Sequence, residues 1–335
     1  MNPSKMRHTR LLVTALVLVA LVGVTVVAVL FGSSAVSLQE LVALATGAPV
    51  SESAKNILLN VRFPRVAAAL LAGAALAVAG ALIQAVLDNP LAGPNVIGIN
   101  SGAGLAVLMM ASFFPGLLFL QPLAAFAGAL LTAFLIFCLS LGAGTSKLTV
   151  VLAGIALSTI FGAGMNTVLI MNPDAYIRSA NFLVGGLSGV LAQSLVWPGA
   201  YIAAGLVLAC LFTGKLNIMS LGDATAHALG MGVHRWRMGI LGLAALLAGA
   251  AVSFAGILGF VGLIVPHVVR FLVGHDNRVV VPLSAAFGAA FVVCCDLCAR
   301  VLFAPYEVPV GILMAFIGGP FFIYLIVKNK QVGNV

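Results

Sequence analysis

The side chains able to do chemistry are few and far apart. The five histidines, His8, His227, His234, His267 and His275, are scattered, and no H-E-x-x-H pair occurs. The chain also lacks a G-x-x-x-x-G-K-[ST] phosphate loop, a G-x-S-x-G elbow and a G-x-G-x-x-G turn. Cys294 and Cys298 stand at i, i+4, a spacing that would allow a metal pair on one helix face. No His or carboxylate completes a ligand set, so the pair reads as small apolar filler and no metal is expected. Of the carboxylates, Asp296 alone falls well inside an apolar run, with Arg300 one helical turn later. That spacing gives an i, i+4 ion pair; a proton relay is the functional alternative for a submerged acid. Nothing here supplies a nucleophile, a paired acid and base, or a nucleotide site, so the expectation is a non-catalytic chain.

The elements that position these residues must sit in lipid. The 335 residues are 62% hydrophobic and 7% charged, with 16 Lys+Arg against 8 Asp+Glu. A globular surface cannot be covered with so few charges, and the same figures exclude disorder and nucleic-acid binding. Cys138, Cys210, Cys294, Cys295 and Cys298 all lie in apolar runs, which excludes a disulfide scaffold. After Lys5, Arg7, His8 and Arg10, an apolar run extends from Leu11 to Phe31, too long for a signal-peptide core, and reads as a retained first span. Since about 20 residues cross a bilayer as helix, ten spans are expected near 11–31, 66–87, 95–114, 120–141, 148–171, 194–213, 238–257, 259–273, 279–303 and 308–327. The eighth is short and holds Pro266, so it is expected to be tilted or broken. The whole chain, 1–335, forms one all-α polytopic domain.

Ten spans place both termini on one side. That side carries eleven cations (Lys5, Arg7, Arg10, Lys147, Lys215, Arg235, Arg237, Arg270, Arg278, Lys328 and Lys330). The other carries five (Lys55, Arg62, Arg65, Arg178 and Arg300), so the termini are expected in the cytoplasm. The segments LLAGAALAVAG (70–80) and LLAGAAVSFAG (246–256) agree at eight of eleven positions at an offset of 176, which carries Pro90 onto Pro266. Further along, Ser101 and Gly104 find looser echoes in Ser284 and Gly288. The copies fall in spans two and seven, so they run in opposite directions, and spans 2–5 (about 62–171) and 7–10 (about 238–328) form an inverted repeat of the kind transporters use. Small residues at i, i+4, as in Gly73, Ala77, Ala81 and Ala85, allow close helix approach.

The loop at about 214–237 is more than a turn. Asp223 suits the start of a short helix, Ala224 to Leu229 favour its body, and Gly230 ends it. Leu221, Ala228 and Leu229 give it an apolar surface, fit for a groove in a soluble partner or for lipid. Gln84, Asn89 and Asn100 sit near the bend after span two and must face protein or a wet cavity.

With RFPR (62–65), AGALIQAVLDNPLAGPNVIGINSGAG (79–104), SLGDATAHALG (220–230), GFVGLIVPHVVR (259–270), GHDNRVVVPLSAAFGA (274–289), DLCAR (296–300) and EVPVGILMAFIGGPFF (307–322), the chain resembles the FecCD-type permeases of bacterial ABC importers, from about residue 11 to 328. The resemblance implies a permease subunit that moves an iron–siderophore, haem or cobalamin across the inner membrane. It implies a second permease copy or paralogue, two cytoplasmic ATPases that consume ATP, and a periplasmic or lipid-anchored binding protein. The permease itself is implied to hold no covalently bound cofactor. By motif position it implies ATPase coupling through Leu221, Gly222, Ala226, Leu229 and Gly230, and docking of the binding protein on Arg62, Arg65 and Arg300. It further implies a path or gate at Thr145 and Ser146 (alternatively an N-cap of span five), with Gln84, Asn89 and Asn100 beside it. An ion-coupled secondary carrier is the rival that the inverted repeat also permits.

Overall fold

The computed structural model describes residues 3–32, 37–143, 146–304 and 306–332, and over these the chain is helical with no strand. In chain order the helices are α1 (Pro3–Leu30), α2 (Leu38–Thr46), α3 (Glu52–Asn56), α4 (Phe63–Leu87), α5 (Ile99–Phe113), α6 (Gln121–Ala143), α7 (Lys147–Met171) and α8 (Asp174–Val184). They continue with α9 (Val196–Leu211), α10 (Thr213–Met219), α11 (Asp223–Ala228), α12 (Val233–Ala255), α13 (Val261–Val273), α14 (Asn277–Val301) and α15 (Val310–Val332). Among the described residues seven helical stretches are long and apolar enough to span a bilayer, and α5, α13 and α15 supply three shorter apolar ones. These are the ten expected spans.

The core is centred on α4, which packs against α14 on one side and α12 on another, and small residues make it possible. A Cβ on Gly73 would overlap the Gly288 carbonyl of α14, and one on Gly80 would overlap Gly262 of α13. Lipid offers no hydrophobic drive between helices, so this close backbone approach and the dispersion contacts it allows hold the bundle together. α1 and α7 lie at its edge with most of their length uncovered.

The contacts define two ends. At one, Arg10 bonds the Val273 carbonyl at 3.0 Å, Lys147 meets Asp88 at 3.3 Å, and Asn217 meets Asp276 at 2.8 Å. At the other, Arg300 reaches the carbonyls of Ala28 and Phe31, and the Ile257 amide donates to the Phe182 carbonyl at 2.8 Å. α4 therefore runs from the Arg300 end to the Arg10 end and α12 runs back, as opposed copies should. The constant offset stops there. Pro90 lies in the turns between α4 and α5, whereas Pro266 lies inside α13. Ser101 belongs to α5 but Ser284 to α14, so these two echoes are not structural equivalents. The connection of eleven residues, 88–98, is replaced in the second copy by 256–260, and the register shifts with it.

The eighth span is short but unbroken. Pro266 has no N–H to give the Gly262 carbonyl; the Gln84 amide donates to that carbonyl instead, at 3.3 Å, and so keeps the freed group satisfied in the apolar interior. Four short helices outside the spans, α2, α3, α8 and α10, were not expected. α2 carries a capping box, Ser37 with Glu40, and a left-handed Gly47 at its end.

Candidate functional site

At the Arg10 end, α10 and α11 fold the 214–237 segment into a compact projection. Gly222 (φ 95°) and Gly230 (φ 77°) bracket α11 in the left-handed region, where a side chain would strain the turns. Asp223 opens α11, and both of its oxygens accept from the buried Arg237 of α12 at 2.7 Å. Ala226 is fully buried beneath, and its carbonyl accepts from Met231 N at 3.1 Å. Leu221 and Leu229 stand 60% and 63% exposed on the outer side. Two large apolar side chains are thus presented on a turn clamped by an ion pair, which suits insertion into a complementary groove.

Ser146 lies beside this projection. Its hydroxyl accepts from Thr149 N at 3.0 Å, so it N-caps α7, and with Asp223, His227 and Arg237 it lines a groove of about 500 Å3. The N-cap reading of Ser146 is the one the hydrogen bond shows. Thr145 lies outside the described residues.

The three amides near the bend divide. Gln84 is buried, serves the Gly262 and Leu263 carbonyls, and accepts from Arg270. Asn89 is exposed and accepts from Leu91 N at 2.9 Å, which closes a local turn. Both line a pocket of about 370 Å3 with Asp88, His267, Arg270 and Asn277. Asn100 is elsewhere: it is buried at the start of α5 and donates to Asn95.

At the opposite end Arg62, Arg65 and Arg300 are only 3%, 7% and 3% exposed and are engaged within the chain. Arg62 donates to the carbonyls of Val29 and Leu30 at 2.6 Å, and Arg300 to those of Ala28 and Phe31 at 3.2 Å. Together they satisfy the last turn of α1, whose carbonyl end favours positive charge. Arg65 contacts both Asp296 oxygens at 3.0 and 3.2 Å and reaches Glu307 at 2.6 Å. The i, i+4 pair Arg300–Asp296 is present at 3.0 Å. The exposed cations of this end are Lys55 and Arg178.

The sequence reading missed Arg65 and Glu307 as partners of this cluster, and Arg237 as the partner of Asp223. Separations of 231 and 242 residues leave no local signal for the first two. The third joins α11 to the first turns of α12, and only its opposite charge in an otherwise apolar chain hints at it. Cys294 is exposed and Cys298 half-buried. Among the described residues no cluster of three or more His, Cys, Asp or Glu side chains could hold a metal.

A bundle of ten apolar helices, antiparallel in its related halves, with a clamped apolar projection at one end and an ionic cluster at the other, is a multi-pass membrane transport subunit. Residues 17–328 match the FecCD transport family, and the chain belongs to that family. It is 38% identical over 282 residues to the hemin transport system permease protein HmuU of Yersinia pestis, covering 82% of this chain and 84% of that one. It is 34% identical over 328 residues to the Fe(3+)-citrate import system permease protein YfmE of Bacillus subtilis, covering 97% and 98%. A solved inward-facing metal-chelate-type ABC transporter matches with a TM-score of 0.82 at 27% identity, over 98% of this chain and 100% of that one.

Proposed function

We propose that this chain is the permease subunit of a binding-protein-dependent ABC importer that carries an iron–siderophore or a related metal chelate, such as haem or cobalamin, across the inner membrane. It performs no bond chemistry and holds no covalent cofactor; ATP is hydrolysed by a separate pair of cytoplasmic subunits. The observation that carries the reading is the projection of Leu221 and Leu229 from a turn clamped by Asp223–Arg237, in a chain whose family match covers nearly its full length. The Arg10 end is cytoplasmic, in keeping with the excess of cations there. A second permease packs against this one, and the exposed face of α7 is available for it. The binding protein docks at the Arg300 end, where Lys55 and Arg178 are the cations in reach, while Arg62, Arg65 and Arg300 hold that face in shape.

The rival, an ion-coupled carrier, needs a submerged acid free to exchange a proton. Among the described residues Asp296 is the one fully buried carboxylate, and it is held between two guanidinium groups. The deciding experiment is reconstitution in proteoliposomes with the ATPase and binding protein, with chelate uptake as readout. ATP-dependent uptake is expected, and Leu229→Asp is expected to abolish it and to release the ATPase on purification while membrane insertion is unchanged. Uptake driven by an ion gradient without the ATPase, or full coupling in Leu229→Asp, overturns the reading.

A further inference from the structure

The pocket at the end of α4 holds a charge that nothing among the described residues balances. Arg270 projects from the last turn of α13 and donates to the Gln84 side-chain oxygen and, at 3.1 Å, to the Ala81 carbonyl. Both acceptors are neutral, and among the described residues no ion pair of Arg270 is present. The carboxylate that lines the same pocket, Asp88, is 64% exposed and is turned to Lys147 at 3.3 Å. The carbonyl ends of α4 and α13 offset part of the Arg270 charge but supply no full negative one. A half-buried guanidinium without a counter-ion is costly, and the pocket adds the imidazoles of His267 and His275.

Two more observations narrow the ligand. The Asn277 side-chain oxygen is buried in a residue only 2% exposed, has no hydrogen-bond partner among the described residues, and its residue lines this pocket. A carbonyl oxygen can only accept, so it calls for a hydroxyl or N–H donor on the same ligand. The wall of the pocket also carries a large apolar side chain, Phe271, which is 77% exposed. An oxyanion, a donor next to it and an apolar body together describe an amphiphile.

We propose that this pocket binds an anionic phospholipid with a hydroxylated headgroup, such as phosphatidylglycerol, with its phosphate against Arg270 and His275 and a headgroup hydroxyl donating to Asn277. The acyl chains leave past Phe271 into the leaflet at the Arg10 end. The lipid supplies the missing counter-charge and ties the end of α4 to the junction of α13 and α14.

The test uses the purified full chain in neutral detergent and reads thermal stability during titration with phosphatidylglycerol, phosphatidylcholine or inorganic phosphate. Phosphatidylglycerol is expected to bind at least tenfold more tightly than phosphatidylcholine. Arg270→Gln removes that preference. His275→Gln, at an exposed position that folding tolerates, weakens it about threefold, and Asn277→Ala weakens phosphatidylglycerol but not phosphatidic acid. Equal binding of the two lipids overturns the proposal, as does an unchanged preference in either Arg270→Gln or His275→Gln. Stabilisation by inorganic phosphate equal to that by phosphatidylglycerol overturns the lipid assignment. Should Arg270→Gln fail to fold, the His275→Gln result decides.

Discussion

Replacing Asp296 with asparagine tests the cluster that joins α1, α4, α14 and the segment leading to α15. The carboxylate is 2% exposed in its side chain and receives Arg65 at 3.0 Å and Arg300 at 3.0 Å. Its loss leaves two buried guanidinium groups with Glu307, 2.6 Å from Arg65, as the remaining carboxylate. Removing one partner from a buried charge group costs about 3–5 kcal/mol, because the uncompensated charge stays desolvated. At about 2.1 cal/mol/K per residue, a chain of 335 residues has roughly 0.7 kcal/mol/K of unfolding entropy, so the midpoint is expected to fall by about 4–7 °C. Scanning fluorimetry of the purified permease reads this directly. Glu307→Gln, at a side chain 29% exposed, is expected to shift the midpoint by less than about 2 °C. The double variant Asp296→Leu with Arg300→Met is expected to lose less than the two singles together, since it removes both charges. A midpoint for Asp296→Asn within 1 °C of wild type, or strictly additive losses in the double variant, would refute the account of a mutually dependent buried cluster.

Other outcomes follow from the same geometry. Gly80→Val drives a side chain into the Gly262 backbone and is expected to lower the yield of monodisperse protein on size exclusion, whereas Gly162→Ala, with nothing within 4 Å, leaves it unchanged. Ser146→Ala removes the cap of α7, worth about 1 kcal/mol, and should speed amide exchange in its first turn roughly fivefold. Asp276, at the loop before α14, is raised by burial but lowered more by the Asn217 amide, the Arg278 backbone N–H and the charges of Arg10 and Arg278, so its carboxyl sits below the usual range. Its contribution to stability is therefore complete above about pH 4, the ordinary carboxylate value, and is lost as pH falls through the lowered folded value. Melting between pH 3 and 6 should show this acid limb in wild type and a weaker one in Asp276→Asn.

The spans were legible because lipid imposes one rule along the whole chain: backbone groups must be satisfied within each helix. Most helix ends agreed within a few residues, although α1 starts at Pro3 rather than near 11 and α12 at Val233 rather than near 238, and α11 began at Asp223 and stopped before Gly230 as local capping dictates. Asp296 with Arg300 could be read because a helical turn separates them. What could not be read was pairing across the bundle. RFPR looks like an exposed basic motif in isolation, and only the fold shows that the end of α1, Asp296 and Glu307 close over its arginines. The proline echo misled for a related reason. A constant offset assumes equal connections, but one copy breaks over 88–98 and the other over 256–260. α2 was within reach, since Ser37, Glu40 and Gly47 form a recognisable cap set, though the length rule for spans passes over so short a helix.

α1 packs one side along α14, leaves most of its surface uncovered, and is fastened at both tips. Arg10 grips Val273 and Asp276 at one tip, and Arg62 and Arg300 grip its last carbonyls at the other. Most of these fasteners are encoded some 260 residues downstream of the helix they hold. During synthesis Arg62 can therefore hold the last turn of α1 early, whereas the Arg10 tip stays unfastened until the ribosome has delivered α13 and the loop before α14.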